Sequence, residues 1–174
     1  MGSSHAKQAR PALLLGAVVV STMFACGGAP SGGVSSAAAA SSASKGDAAE
    51  HCLAVAGGKR EHKASEPDRI SVKHVLVRYA GAKRAPETIT RTREQACLRA
   101  QEALTKLKEG TSFADVVARY SDESGAATRE GSLGTIQRTD VAPGFADAAF
   151  ELGIREVSEV VETPFGFHVI LRVE

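Results

Sequence analysis

The chain has 174 residues, a formal net charge of +1, 43% hydrophobic and 5% aromatic residues. From Glu66 onward 15 Lys/Arg stand against 17 Asp/Glu, a net of −2, which argues against non-specific nucleic-acid binding. The 109 residues from Glu66 to Glu174 suit one small domain with one core, and no internal repeat divides them.

The N-terminus places His5, Lys7 and Arg10 ahead of an apolar run from Ala12 to Val20, followed by Met23-Phe24-Ala25-Cys26-Gly27. A basic start, a short apolar stretch and small residues before a cysteine predict a secretory signal peptide over residues 1–25, too short for a transmembrane span. The tetrad ending in Cys26 resembles the lipobox of bacterial lipoproteins, which implies that Cys26 is lipidated and becomes the mature N-terminus. The expected location is therefore the bacterial cell envelope, lipid-anchored and extracytoplasmic. Gly27 rather than Asp after the cysteine favours the outer membrane, facing the periplasm, if the organism is Gram-negative.

Residues 26–65 are dominated by Gly, Ser and Ala and turn charged near Lys59-Arg60-Glu61-His62-Lys63. Such a stretch buries too little apolar area to offset its ordering entropy, so it is predicted to be a flexible, disordered tether. His51 and Cys52 lie within it, and two neighbouring donors fall short of the three or four ligands of a zinc site. Cys97 lies on a predicted helix; a bridge from Cys52 to Cys97 is left open, and neither thiol reads as a nucleophile. No metal and no cofactor is expected.

Ile70 to Val77 is rich in β-branched residues and bounded by Pro67 and Gly81, which predicts a strand. From Arg93 to Lys108, Ala96, Ala100, Ala103, Leu104 and Leu107 share one helical face, with a capping box at Thr92-Arg93-Glu94-Gln95 and a stop at Gly110. Ser112 caps a second helix, in which Phe113, Val116, Val117 and Tyr120 keep helical spacing. Gly131 to Ile136 reads as a short strand, Phe145 to Leu152 as a short helix, and Val157–Val161 and Phe167–Val173 as two closing strands around Pro164-Phe165-Gly166. The first and last strands each carry a histidine, His74 and His168, among apolar neighbours. A buried imidazole needs a partner. Pairing the two strands in one sheet would bring the two imidazoles together.

His74-Val75-Leu76-Val77, Phe113…Tyr120-Ser121-Asp122, Gly131-Ser132-Leu133-Gly134, Phe145…Ala148-Ala149-Phe150-Glu151-Leu152 and Thr163…Phe165-Gly166-Phe167-His168-Val169-Ile170 occur in that order. Together they resemble the parvulin family of peptidyl-prolyl cis-trans isomerases, nearest its phosphoserine/phosphothreonine-proline-directed branch, across residues 69 to 174. The resemblance implies an α+β domain over residues 66–174: a small four-stranded sheet wrapped by about four helices, in the order β-α-α-α-β-α-β-β. It implies that Leu133, Val141 and Phe145 form a proline pocket, with Ile136 packed beside it. His74 and His168 would face each other below that pocket and bond with Thr163, as organisers rather than as acid and base. Glu123 falls where family members carry cysteine or aspartate, and a carboxylate there argues against covalent catalysis. Arg78, Lys83 and Arg84 fall at basic positions that hold a phosphate in that branch, although the loop is shorter here and Lys83 replaces an arginine. Glu-Pro or Asp-Pro bonds are the other candidates. The expected partners are proline-containing polypeptides and, through the lipid, a membrane; a monomer is expected. The competing reading is a non-catalytic chaperone that holds extended segments in the same groove.

Overall fold

In the computed structural model, residues 36–62 and 65–174 are described; the expected signal peptide and Cys26 lie outside them. The elements run α1 (Ser36–Ala56), β1 (Ile70–Val77), α2 (Arg93–Lys108), α3 (Phe113–Tyr120), β2 (Ser132–Ile136), a 3-10 turn (Arg138–Asp140), α4 (Pro143–Glu151), β3 (Val161–Thr163) and β4 (Gly166–Arg172). The four strands form one antiparallel sheet in the order β2-β1-β4-β3, so the first and last strands are its centre. Because side chains alternate along a strand, the two faces carry different cores. Val75, Val77, Phe167 and Val169 pack with Leu104, Val116, Val117 and Tyr120 of α2 and α3. On the other face Val72 and Ile170 meet Phe145, Ala148 and Ala149 of α4.

The helix starts follow from side-chain caps. Thr92 accepts from the Gln95 N–H while the Gln95 side chain accepts from the Thr92 N–H, which completes the capping box of α2. Ser112 accepts from the Asp115 N–H and starts α3. Pro143 opens α4 two residues earlier than expected, at a position whose missing N–H has no helical partner to lose.

Two segments depart from the sequence reading between β1 and β4. Two helices stand between β1 and β2, as the residues predict and not the three that the resemblance implies, and residues 123–131 form a chain of turns. Gly125, Glu130 and Gly131 there take φ of 72°, 53° and 73°, which a right-handed helix does not accommodate. Of the strand expected over Val157–Val161, Val157 makes a single bridge to Leu171 and the strand proper is Val161–Thr163. The ladder is interrupted where the Ser158 hydroxyl, rather than a carbonyl, accepts the Ile170 N–H at 2.9 Å.

The tether expectation is corrected over residues 36–56, which form α1. Alanine is the strongest helix former, and Ala49, Cys52, Leu53 and Ala56 lie at helical spacing on the face that packs into the α2 side of the domain. Cys52 and Cys97 form a disulfide with Cα atoms 6.1 Å apart, which fastens α1 to α2. After α1, Arg60 donates to Glu151 of α4 at 2.9 Å, and Arg138 joins Glu66 to Asp147. Among the described residues no helix is long and apolar enough to cross a membrane, and no three His, Cys, Asp or Glu side chains converge on a metal site.

Candidate active site

The site begins with the way β1 divides its outer edge. Its first half pairs with β2, with a bulge in which Val72 opposes Gly134 and Lys73 opposes Ser132, leaving Leu133 as the extra residue. Beyond Lys73 the backbone groups on that edge need other partners, and the 121–131 loop supplies them. The His74 N–H donates to the Gly131 carbonyl at 2.8 Å, the Leu76 N–H to the Ser121 hydroxyl at 3.2 Å, and the Arg78 N–H to the Asp122 carboxylate at 2.8 Å. The Asp122 N–H returns a bond to the Leu76 carbonyl at 2.7 Å. Gly131 is required: a Cβ there would lie 2.3 Å from the His74 carbonyl oxygen. This stitching sets Glu123, the next residue, beside His74.

His74 and His168 come to one face of the sheet from adjacent strands. His74 opposes Ile170 and His168 opposes Leu76, so the imidazoles are diagonal neighbours. Their Nδ1 atoms are 3.2 Å apart and their rings are 13° from parallel. The outer nitrogens reach further partners, His74 Nε2 at 2.9 Å from Glu123 Oε2 and His168 Nε2 at 2.8 Å from Thr163 Oγ1. Both imidazoles and Thr163 are buried.

The charge of Glu123 gives this row a direction. The hydrogen bond from His74 holds the Glu123 carboxyl below the usual carboxylate range; partial burial opposes it, and the charges of Arg129 and Arg78 add to it. A carboxylate only accepts, so His74 carries its proton on Nε2. With a proton on Nε2 alone, His74 would accept at Nδ1 from the Nδ1–H of His168, leaving His168 Nε2 to accept from the Thr163 hydroxyl, whose oxygen also lies 3.4 Å from the Gly166 carbonyl. Burial, then the charges of His74 and Arg78, hold His168 well below the usual imidazole range, consistent with a neutral ring. The Phe165 N–H donates to Thr163 Oγ1 at 3.1 Å, so the last member is also fixed.

Above the row lies a cleft of about 240 Å³. Leu133, Val141 and Phe145 line its apolar side, with His74, Glu123, Thr163 and His168 at its floor and Arg78 and Arg84 on its border. Phe145 stands edge-on to both imidazoles, at 5.6 Å from His74 and 5.2 Å from His168, and belongs at once to the α4 core. Ile136 packs in that same core. Nine of the ten residues expected at the site thus share one cleft. Lys83 is not among its lining; its Nζ lies 5.3 Å from the centre of the Phe165 ring, with Arg84 at 5.7 Å from the same ring. Arg78 donates from Nη1 to the carbonyls of Lys83 and Arg84, at 3.1 and 2.9 Å, and so shapes the loop.

The sequence profile of the PPIC-type PPIASE domain matches residues 58–174. This chain belongs to the parvulin-type peptidyl-prolyl isomerase family. It is 33% identical over 121 residues to a Drosophila melanogaster protein named putative peptidyl-prolyl cis-trans isomerase dodo, across 67% of this chain and 73% of that one. Over 72 residues it is 42% identical to foldase protein PrsA of Halalkalibacterium halodurans, which takes in 41% of this chain and 22% of that protein. The structure of peptidyl-prolyl isomerase ESS1 from Candida albicans superposes with a TM-score of 0.58 at 27% identity, covering 62% of this chain and 63% of that one.

Membership makes the chain a peptidyl-prolyl cis-trans isomerase, and the site's chemistry suits that activity. Rotation about X–Pro meets a barrier on the order of 20 kcal/mol from amide resonance. It breaks no bond, so it asks for placement and polarity rather than a nucleophile. An apolar wall that holds the ring and excludes water disfavours the planar, more polar amide relative to the twisted one. Sequence reasoning missed four residues around this cleft, of which Leu76 lines it from β1. Asp140 and Ala142 line it beside Val141, and Arg129 grips Glu123 from behind. The last had a visible signal, since a lone carboxylate at a buried site calls for a cation.

Proposed function

We propose that this isomerase is a lipid-anchored, monomeric envelope protein that acts on X–Pro bonds of secreted or envelope polypeptides with an acidic or phosphorylated residue before proline. The observation that carries the preference is the pair of guanidinium groups, Arg78 and Arg84, bordering a cleft with an apolar wall of Leu133, Val141 and Phe145 and the histidine row as its floor. An anion there would gain charge-assisted bonds. Lys83, held over Phe165, contributes long-range charge rather than a contact. Residues Ala12 to Cys26 support the signal and the lipid anchor, and the Cys52–Cys97 disulfide supports an oxidising compartment. The likeness to a protein named foldase agrees with folding clients outside the cytoplasm.

Within the cleft, Glu123 works as a fixed anion. It raises the energy of a planar amide whose oxygen carries negative charge and lowers the relative cost of the twisted state. The test is exchange NMR on matched peptides bearing Ala-Pro, Glu-Pro and phosphoserine-Pro, with residues 27–174. The expected order is phosphoserine over Glu over Ala, and Arg78→Ala with Arg84→Ala should erase the order while keeping Ala-Pro turnover. Equal loss on Ala-Pro and Glu-Pro would remove the anion preference. No turnover on any peptide, with binding retained, would leave a groove that holds extended chains as a chaperone does.

A further inference from the structure

Arg129 does not line the cleft, yet it is bonded to the group that polarises it. Its Nη2 donates to Glu123 Oε2, the same oxygen that accepts from His74 Nε2. From the other side of the same plane, Nε donates to the Ser132 carbonyl at 3.1 Å and Nη1 to the Ser124 carbonyl at 3.3 Å. Residues 124 and 132 are the two ends of the turn that leads from Glu123 into β2. One rigid fork therefore joins both ends of the turn to the carboxylate. The Glu123 side chain is otherwise tied only to His74 among the described residues, and an unfastened Glu has three rotatable bonds with which to leave.

We propose that Arg129 is a positioning residue of the isomerase site: by clamping Glu123 Oε2 against His74 Nε2, it fixes the direction of proton donation through His74, His168 and Thr163. With two donors converging on Oε2, that oxygen has no room for a proton of its own, so His74 must donate. When His74 carries no second proton, the order of the remaining three groups follows from that constraint. The effect on rotation rests on the reading of the cleft as an isomerase site, whereas the effect on the histidines does not.

Long-range proton–nitrogen NMR of the two imidazoles, in the protein comprising residues 27–174, tests both. The wild type should show His74 protonated on Nε2 and His168 on Nδ1. Arg129→Gln removes the charge, and the expected result is mixed tautomers at both rings, a fall in kcat/KM of about tenfold with KM unchanged, and loss of activity beginning at higher pH on acidification. Arg129→Lys restores the cation and should return the tautomers. In a Glu123→Gln background, Arg129→Gln should cost nothing further, since the residue acts through that carboxylate. Wild-type tautomers and pH profile in a folded Arg129→Gln would overturn the proposal, as would an equal loss in the Glu123→Gln background. If the variant does not fold, the wild-type spectrum still decides: His74 protonated on Nδ1 alone sinks the clamp. An inactive wild type with the expected tautomers would instead sink the isomerase reading and leave the clamp standing.

Discussion

Reduction of the Cys52–Cys97 bridge should release α1 and destabilise the whole domain. The cysteines are 45 residues apart in sequence, and the closure entropy of a loop that long corresponds to about 4 kcal/mol in the chain-entropy account. The rest of α1 offers little to replace it. Its buried face consists of Ala49, Cys52 and Ala56, with Leu53 partly buried beside them, and alanine methyls bury little apolar area. For a chain of this size, about 4 kcal/mol corresponds to a fall in Tm of roughly 8–16 °C. Thermal unfolding followed by far-UV circular dichroism, with and without reductant, measures it directly. A Cys52→Ala, Cys97→Ala variant serves as the control, since it should unfold at the lower temperature and ignore the reductant. Hydrogen exchange in the reduced protein should show α1 opening first, because its buried face is built of small side chains. An equal shift in the control would assign the effect to the reductant. A wild-type Tm unmoved by complete reduction would show that α1 is held by its packing, and the entropy argument would fall.

Two further outcomes bear on the site. Phe145→Ala empties a buried side chain that contacts both imidazoles, so it should cost about 3–5 kcal/mol in urea unfolding and abolish isomerisation; wild-type turnover in the folded variant would remove Phe145 from the proline pocket. His168 makes stability fall with acid. Its folded pKa lies well below that of a free histidine, so below pH ~6.5 the unfolded chain takes up a proton that the folded one refuses. Stability is fully present above that pH, and between pH ~7.5 and ~5.5 this group alone removes up to about 1.4 kcal/mol. His168→Asn should flatten that part of the curve, and an unchanged slope would move the cause to another group.

The bounds of β1, α2 and α3 were legible because each is marked by local chemistry: a β-branched run, a reciprocal cap at Thr92 and Gln95, a serine cap before an amphipathic stripe. The meeting of His74 and His168 was legible from their place in two strands that had to be central. What failed was context. The stretch 36–56 reads as a tether by its Ser and Ala content, yet Ala49, Cys52, Leu53 and Ala56 recur at helical spacing. The signal was too faint because small side chains define the stripe and a covalent bond, not apolar area, holds it. That bond could not be read from spacing, since it depends on where α2 lies in space. The third helix that the resemblance implied before β2 has no residues in the sequence reading, and residues 123–131 turn instead, with Gly125, Glu130 and Gly131 at positive φ, of which a glutamate gives no warning. Lys83 is a basic residue in a basic loop, and nothing in its local sequence tells that it stays off the cleft lining while Arg84 joins it.

The loop after α3 explains how a site without bond-making chemistry can still demand exact residues. A fixed anion helps a rotating amide only if it stays at one distance and one angle, because the gain is electrostatic and any mobility averages it away. Glu123 is exposed on one side, so packing alone does not hold it. Instead Asp122 is bound to β1 through both its N–H and its carboxylate, and Ser121 and Gly131 take two more groups of the same strand. β1 can offer those groups only because β2 leaves its edge at the bulge, past Lys73. The strand that carries His74 therefore also carries the loop that carries its acceptor. Register along a single strand sets the geometry between acid group and imidazole, and the bond from Arg129 restrains the side-chain rotations that register leaves free.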